Sequence, residues 1–306
     1  MSFELRISQI LGGDAPANDT YSGPNDPRSP EACENHLMLQ PTVVEQITED
    51  LAYRIAAGLH QPGELLPSVR QLATELGAST ASVNSALGRL ASLGFADGRR
   101  GLGYVVRDIR LYGRIDTWRY VFRFARKVPG LSARLFADMI NIDHLLVVDA
   151  LRTFSAATEN YDSAVVLQAV DQMELLVNSS HASRTDIMTA ELHVLRCVFA
   201  SLDKPAALSV FNSVGEVLIT VPEAAQAFYS PADPAAHLLF MRMVHTAKDN
   251  EVDISALDLS VVEAGLRDYH DGVIAAFRQH IRTPPQPTDH RADQRRNLPI
   301  NNARTR

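Results

Sequence analysis

Leu66 to Arg107 reads LPSVRQLATELGASTASVNSALGRLASLGFADGRRGLGYVVR, and this stretch decides the fold. Ser68 is placed to cap a helix whose apolar positions Leu72, Ala73 and Leu76 recur at helical spacing, and Gly77 ends it. Ser79 caps the next helix, Ser79 to Ser92, in which Val83, Ala86, Leu87 and Leu90 form one apolar stripe. Ala81, Asn84, Ser85 and Gly88 then face away, with Arg89 on the flank. A helix that enters a DNA major groove needs such a small, polar face, because bulky apolar residues neither fit nor hydrogen-bond base edges. Phe95 to Asp97 and Tyr104 to Arg107 read as two strands around a Gly-Arg-Arg-Gly-Leu-Gly turn, with Arg99 and Arg100 at its tip. That is the chemistry of a wing reaching phosphates or a minor groove.

The pattern resembles the winged helix-turn-helix of the GntR family of bacterial transcription factors. The resemblance rests on Pro62-Gly63-Glu64-Leu65-Leu66-Pro67-Ser68, Arg70, Leu72-Ala73-x-x-Leu76-Gly77, Ala86-Leu87-x-x-Leu90, Gly94 and Gly101-x-Gly103. Thr80 and Asn84 stand where the family usually has arginines, and Val69 replaces a usual glutamate, so the family's operator sequence does not carry over. The resemblance implies DNA contacts from Arg70, Ser79, Thr80, Ser82, Asn84, Arg89, Arg99, Arg100 and Gly101. It also implies a homodimer on a palindromic operator.

The chain has 306 residues, 46% of them hydrophobic, and carries a net charge of −7. Its length allows two domains, and no apolar run approaches the ~20 residues of a membrane helix. A global excess of acid argues against a nonspecific nucleic-acid binder. Within Leu66 to Arg107, however, five arginines face Glu75 and Asp97, a local balance of +3. Two cysteines, Cys33 and Cys197, and no visible signal peptide point to a cytoplasmic protein without a disulfide framework.

Residues 1–40, rich in Asp, Asn, Pro, Ser and Gly, read as a disordered leader. The DNA-binding domain is expected over 41–110, opening with a support helix capped by Thr42. An all-helical domain for effector binding and dimerisation is expected over 111–282, and a disordered basic tail over 283–306. The fold class is thus mainly α, a winged helix-turn-helix followed by a helical bundle. Ile115 to Lys127 reads as a docking helix with Trp118, Val121, Phe122 and Ala125 on one stripe; Arg119, Arg123 and Arg126 should be solvated or near phosphates. Pro129-Gly130 should break it. Helices are expected over Leu131 to Thr158, Tyr161 to Asn178, Thr185 to Leu202, Pro205 to Phe228, Pro234 to Lys248 and Leu257 to Ile281, with Pro222 kinking or ending the fourth.

The helical half is similar to the effector domain of the FadR branch. Glu191-Leu192-His193 to Ala200-Ser201, then Lys204-Pro205, resembles a cavity-lining helix of that branch, and Leu266 to Gly272 resembles a segment of its acyl-CoA-responsive members. The resemblance implies an acyl-CoA or organic-acid effector near His193, Tyr269, His270 and Asp271. Many members hold a divalent metal such as Zn or Ni through one Asp and three His. Here His193, His245 and His270 match the histidines, but Thr189 stands where the Asp should be. A metal-dependent enzyme needs little more than three histidines and an open position, yet no phosphate loop, nucleophile elbow or Cys-x-x-Cys occurs, so the expectation is a non-enzyme. An architectural DNA-binding dimer without effector stays as the alternative.

Overall fold

Thr42 and Glu45 close the start of the first helix reciprocally: the Glu45 amide donates to the Thr42 hydroxyl at 3.2 Å, and the Thr42 amide to the Glu45 carboxylate at 3.0 Å. In the computed structural model, which describes residues 41–156, 161–249 and 259–283, this helix is α1, Val43–Ala56. The leader, Cys33 and the tail beyond 283 lie outside the described residues.

Helices α2 (Val69–Leu76) and α3 (Thr80–Ser92) follow, each capped by the expected serine. Between them Gly77 turns the chain at φ 60°, a left-handed conformation that glycine adopts without a Cβ penalty. Leu51, Ala52 and Ile55 from α1, Leu72 from α2, and Val83, Leu87 and Leu90 from α3 meet in a closed apolar core with Phe95.

Strands β1 (Ala96–Arg99) and β2 (Gly103–Val106) pair antiparallel, with Ala96 opposite Val106 and Arg99 opposite Gly103. The wing is therefore tighter than the sequence suggested. Arg99 belongs to a strand, and only Arg100, Gly101 and Leu102 make the tip. The lead-in to α2 adds to this sheet: Leu65 bridges Val105, and the Leu66 amide donates to the Tyr104 carbonyl at 2.8 Å. These bonds tie the wing to the helix-turn-helix.

After the short α4 (Ile109–Tyr112), helix α5 (Ile115–Arg123) joins the two halves. Tyr120 and Val121 enter the core of the DNA-binding unit, whereas Phe122 enters that of the helical unit. The arginines here are not free for phosphates. Arg119 pairs with Glu216, Arg123 with Glu49 and Arg126 with Glu223, so their charges hold elements together.

Gly94 packs against this junction. It sits at φ 85°, and a Cβ there would lie 2.9 Å from the Thr117 hydroxyl. That hydroxyl is buried and donates to the Leu93 carbonyl at 2.6 Å. Gly94→Ala should therefore destabilise the chain by about 1–3 kcal/mol, from a strained backbone and a displaced buried bond. Denaturant unfolding checks this, and a midpoint equal to wild type would refute it.

The helical unit comprises α6 (Pro129–Ala156), α7 (Ser163–Val177), α8 (Arg184–Ser201), α9 (Pro205–Leu218), α10 (Pro222–Phe228), α11 (Pro234–Asp249) and α12 (Leu259–His280). Pro129 does not break a helix but begins one. The preceding helix already ends at Arg123, and proline at the first helical position sacrifices an amide that has no partner there. Pro222 does divide the span from Pro205 to Phe228: α9 and α10 meet at 111°. No single described helix is long and apolar enough to cross a membrane; only that bent pair approaches the requirement together.

Candidate DNA interface and buried polar layer

The DNA-facing surface is built by burial of the opposite side. Val83, Ala86, Leu87 and Leu90 fix α3 to α1, which leaves Thr80, Ala81, Asn84, Ser85 and Gly88 exposed in one row. Ser79 is consumed in the cap, accepting from the Ser82 amide at 3.0 Å and sharing a hydroxyl contact with Ser82 at 2.9 Å. Its role is to set the start of the helix, whose remaining amides and positive dipole end suit a phosphate.

Arginines in this unit divide into two sets. Arg54 pairs with Asp50 and Glu75, and Arg107 with Asp97 at 3.5 Å. Arg89, expected at DNA, is exposed but leans on Glu45 at 3.4 Å, so a phosphate must compete with that carboxylate. Arg70, Arg99 and Arg100 are exposed and have no ion pair among the described residues. Cations left unpaired beside a small polar helix face are available to the DNA backbone. Gly101 stands at the wing tip with φ 76° and is exposed.

In the helical unit the structure separates the residues expected at an effector site. Tyr269 and His270 are buried, whereas His193 and Asp271 are exposed. The His193 imidazole lies 3.9 Å from the Cys197 sulfur, one turn along its own helix. The three histidines expected at a metal do not converge: His193 faces out, His245 takes a hydrogen bond with Tyr161 at 2.8 Å, and His270 meets His144 at 3.1 Å. Thr189 is exposed on the same outer face as His193. Among the described residues, no group of three or more His, Cys, Asp or Glu side chains is arranged to hold a metal ion.

Sequence reasoning names Tyr269 and His270 but misses the rest of the buried polar layer to which they belong. Asp143 and His144 enter it from α6, Glu191 from α8, His237 from α11 and His270 from α12. Glu191 accepts from the Tyr229 hydroxyl and pairs with His237 Nδ1, both at 2.8 Å. Tyr269 donates to the Phe228 carbonyl at 2.7 Å. His144 Nε2 and His237 Nε2 are buried without a partner among the described residues. The signal was present in the apolar stripe of α8, which puts Glu191 in line with Ile187, Met188 and Leu192 and turns His193 outward.

Burial governs the charges in this layer. It pushes the Asp143 carboxyl up to about 7, with the Glu191 charge adding to the effect. Burial likewise lowers His270 to about 3, helped by His144 and His237. The 3.5 Å approach of His270 Nε2 to Asp143 is thus a contact between neutral groups below pH 7, not an ion pair. For His237 burial opposes protonation, but the Glu191 charge and hydrogen bond outweigh it and raise the imidazole. Burial also opposes ionisation of Glu191, and His237 with Tyr229 overcomes it.

The pH dependence follows. His237 contributes stability that is fully present below its unfolded value near ~6.5 and is lost as pH rises through its raised folded value. Asp143, with a folded value above its unfolded ~3.9, lowers stability progressively as pH rises from about 4 to about 7. Asp143→Asn keeps the side chain's shape and polarity beside His270 and removes the ionisation, so it should raise the melting temperature more at pH 8 than at pH 5. Equal shifts at the two pH values would contradict a buried, raised carboxyl.

Comparison with known proteins bears on the N-terminal unit. The family described as "Bacterial regulatory proteins, gntR family" matches residues 43–106. The HTH-type transcriptional regulator Mce2R of Mycobacterium tuberculosis is 39% identical over 92 residues, 28% of this chain and 38% of that protein. The HTH-type pyridoxine biosynthesis transcriptional regulator PdxR of Corynebacterium glutamicum is 40% identical over 79 residues, 25% of this chain and 17% of that protein. The chain thus matches less than two fifths of the length of these curated relatives. A solved structure of Lar, which controls the expression of the Listeria monocytogenes agr system, aligns over 78% of this chain and 97% of its own. Its TM-score is 0.50 at 12% identity, a likeness of fold alone. Residues 43–106, with capped helices, a small polar recognition face and an arginine-tipped wing, are a DNA-binding helix-turn-helix domain of the gntR family of bacterial regulatory proteins.

Proposed function

We propose that the chain is a homodimeric regulator of transcription of the FadR-like branch, probing a palindromic operator with α3. A small organic molecule held among the C-terminal helices changes its affinity for that operator. The observation that carries the DNA part is the conjunction of an exposed Thr80, Asn84, Ser85, Gly88 face with Arg70, Arg99 and Arg100, which have no ion-pair partner among the described residues. A two-fold dimer places two such faces on successive major grooves, which is why the operator is a palindrome. Support for an effector comes from the polar layer, where two buried imidazole nitrogens lack partners among the described residues. Repression is the simplest output of a dimer that competes for promoter DNA.

Asn84 is the residue assigned to adenine, whose N6 and N7 it matches in a bidentate contact. Asn84→Ala should cost about 1–3 kcal/mol on the operator and relax preference at one base pair per half-site, leaving affinity for random duplex unchanged. Binding to a panel of single-position operator variants tests this. A uniform loss across all variants would show Asn84 to be a backbone contact.

A further inference from the structure

The longest described helix, α6, works on two sides. Inward it sends Asp143 and His144 into the polar layer. Turned away from that layer, Arg134, Asp138, Ile142, Leu145, Asp149 and Arg152 recur at helical spacing, and all six are exposed. At about 100° per residue they make one continuous stripe along about five turns. Its centre is apolar, with Ile142 39% and Leu145 68% exposed. The stripe reads in the same order from either end: Arg, Asp, apolar, apolar, Asp, Arg. Its two arginines and two aspartates cancel, although the whole chain carries −7. Arg134 and Asp138 have no ion pair among the described residues. Asp149 pairs with Lys204 and Arg152 with Glu263, yet their side chains stay 56% and 62% exposed.

We propose that this stripe is where a second copy of the chain docks, the two α6 helices lying antiparallel with the two-fold axis between Ile142 and Leu145. The inference rests on the reading of the chain as a homodimeric regulator and names the surface that makes the dimer. A two-fold contact must be complementary to itself, and a helix face with the same order from both ends meets that condition. When Ile142 lies against Leu145 of the partner subunit, Arg134 comes within about one helical turn of the partner's Asp149, and Arg152 of the partner's Asp138. Symmetry repeats each pair, so charges of opposite sign ring an apolar centre, the usual anatomy of a protein interface. A partner of unrelated sequence would need no such symmetry. Asp143 and His144 are the two residues between Ile142 and Leu145, so one turn of α6 meets the polar layer on one side and the second copy on the other. A molecule bound in that layer is thereby coupled to the angle between subunits, and through it to the spacing of the two recognition helices.

Sedimentation of the full chain over a range of concentrations at low salt, with folding checked by circular dichroism, tests this through Arg134→Glu and Asp149→Arg. Alone, each variant sets like charges against each other twice in its own homodimer, which should dissociate at least about tenfold more readily than wild type. Mixed in equal amounts, the two form a heterodimer in which every pair is again opposite in sign, and wild-type affinity should return. Leu145→Glu places two acids beside the axis and should weaken the dimer at least about tenfold; it carries the test alone if Asp149→Arg does not fold. A dimer of wild-type affinity in the folded variants would overturn this surface and leave the homodimer reading standing. A mixture no tighter than its components would overturn the antiparallel pairing, and is the result expected if another segment of the same chain covers the stripe. A wild type that stays monomeric at every concentration would overturn both the surface and the homodimer reading.

Discussion

Replacing Arg70, Arg99 and Arg100 together by alanine should weaken operator binding roughly 100-fold at moderate salt and flatten its salt dependence. Each lost phosphate contact is worth about 1 kcal/mol or more, and each removes close to one unit of slope in a plot of log affinity against log salt. The size of the effect follows from the ion-pair pattern. These three guanidinium groups have no carboxylate partner among the described residues, so their charge is not already spent on the fold. Arg107 and Arg123 provide the internal control. Both sit at 3.5 Å from an acid, Asp97 and Glu49 respectively, and their removal should leave the slope nearly unchanged. Filter binding over a range of salt concentrations separates the two sets. Equal effects from paired and unpaired arginines would remove the distinction on which the interface is drawn.

Phe122→Ala should cost more stability than Gly94→Ala. Phe122 of α5, Phe136 of α6 and Phe277 of α12 are fully buried and stack as three near-parallel rings. Phe136 and Phe277 lie 3.9 Å apart between centroids, and Phe122 lies 5.4 Å from Phe277. Truncating the first ring opens a cavity against two large neighbours that cannot both move in, at a cost of about 3–5 kcal/mol. For a unit of this size that corresponds to a fall in melting temperature on the order of 10 °C. The same ring anchors α5, whose adjacent Val121 belongs to the DNA-binding core, so the variant should also loosen the coupling between the two halves. Calorimetry reads both effects. Full wild-type stability would mean that the aromatic stack is not the hinge of the molecule.

The helix-turn-helix was legible in the sequence because its determinants are local. Caps at Ser68 and Ser79, the turn at Gly77 and the stripe from Val83 to Leu90 each act within one or two turns of helix. The same locality explains the readable break at Pro222. It also explains the misread start of α6, since Pro129 is compatible with either side of a helix boundary and only tertiary packing chooses. The polar layer was not legible beyond Tyr269 and His270. Asp143, Glu191, His237 and His270 sit on four helices, and no periodicity within one helix announces a partner on another. Selecting histidines by resemblance picked His193, which lies one residue outside the inward face that Glu191 and Leu192 define. The tightened wing has the same origin: the pairing of Arg99 with Gly103 is set by the register of Ala96 against Val106, which the glycines alone do not specify.

The central claim is that this chain reads DNA sequence. Titrating the purified full-length protein against duplexes tiled across the region upstream of its own coding sequence, beside scrambled duplexes of equal length and composition at the same salt, tests it most directly. The account predicts one tile with dyad symmetry bound at least about 10³-fold more tightly than the scrambled controls. Equal affinity for every tile and every control would contradict it.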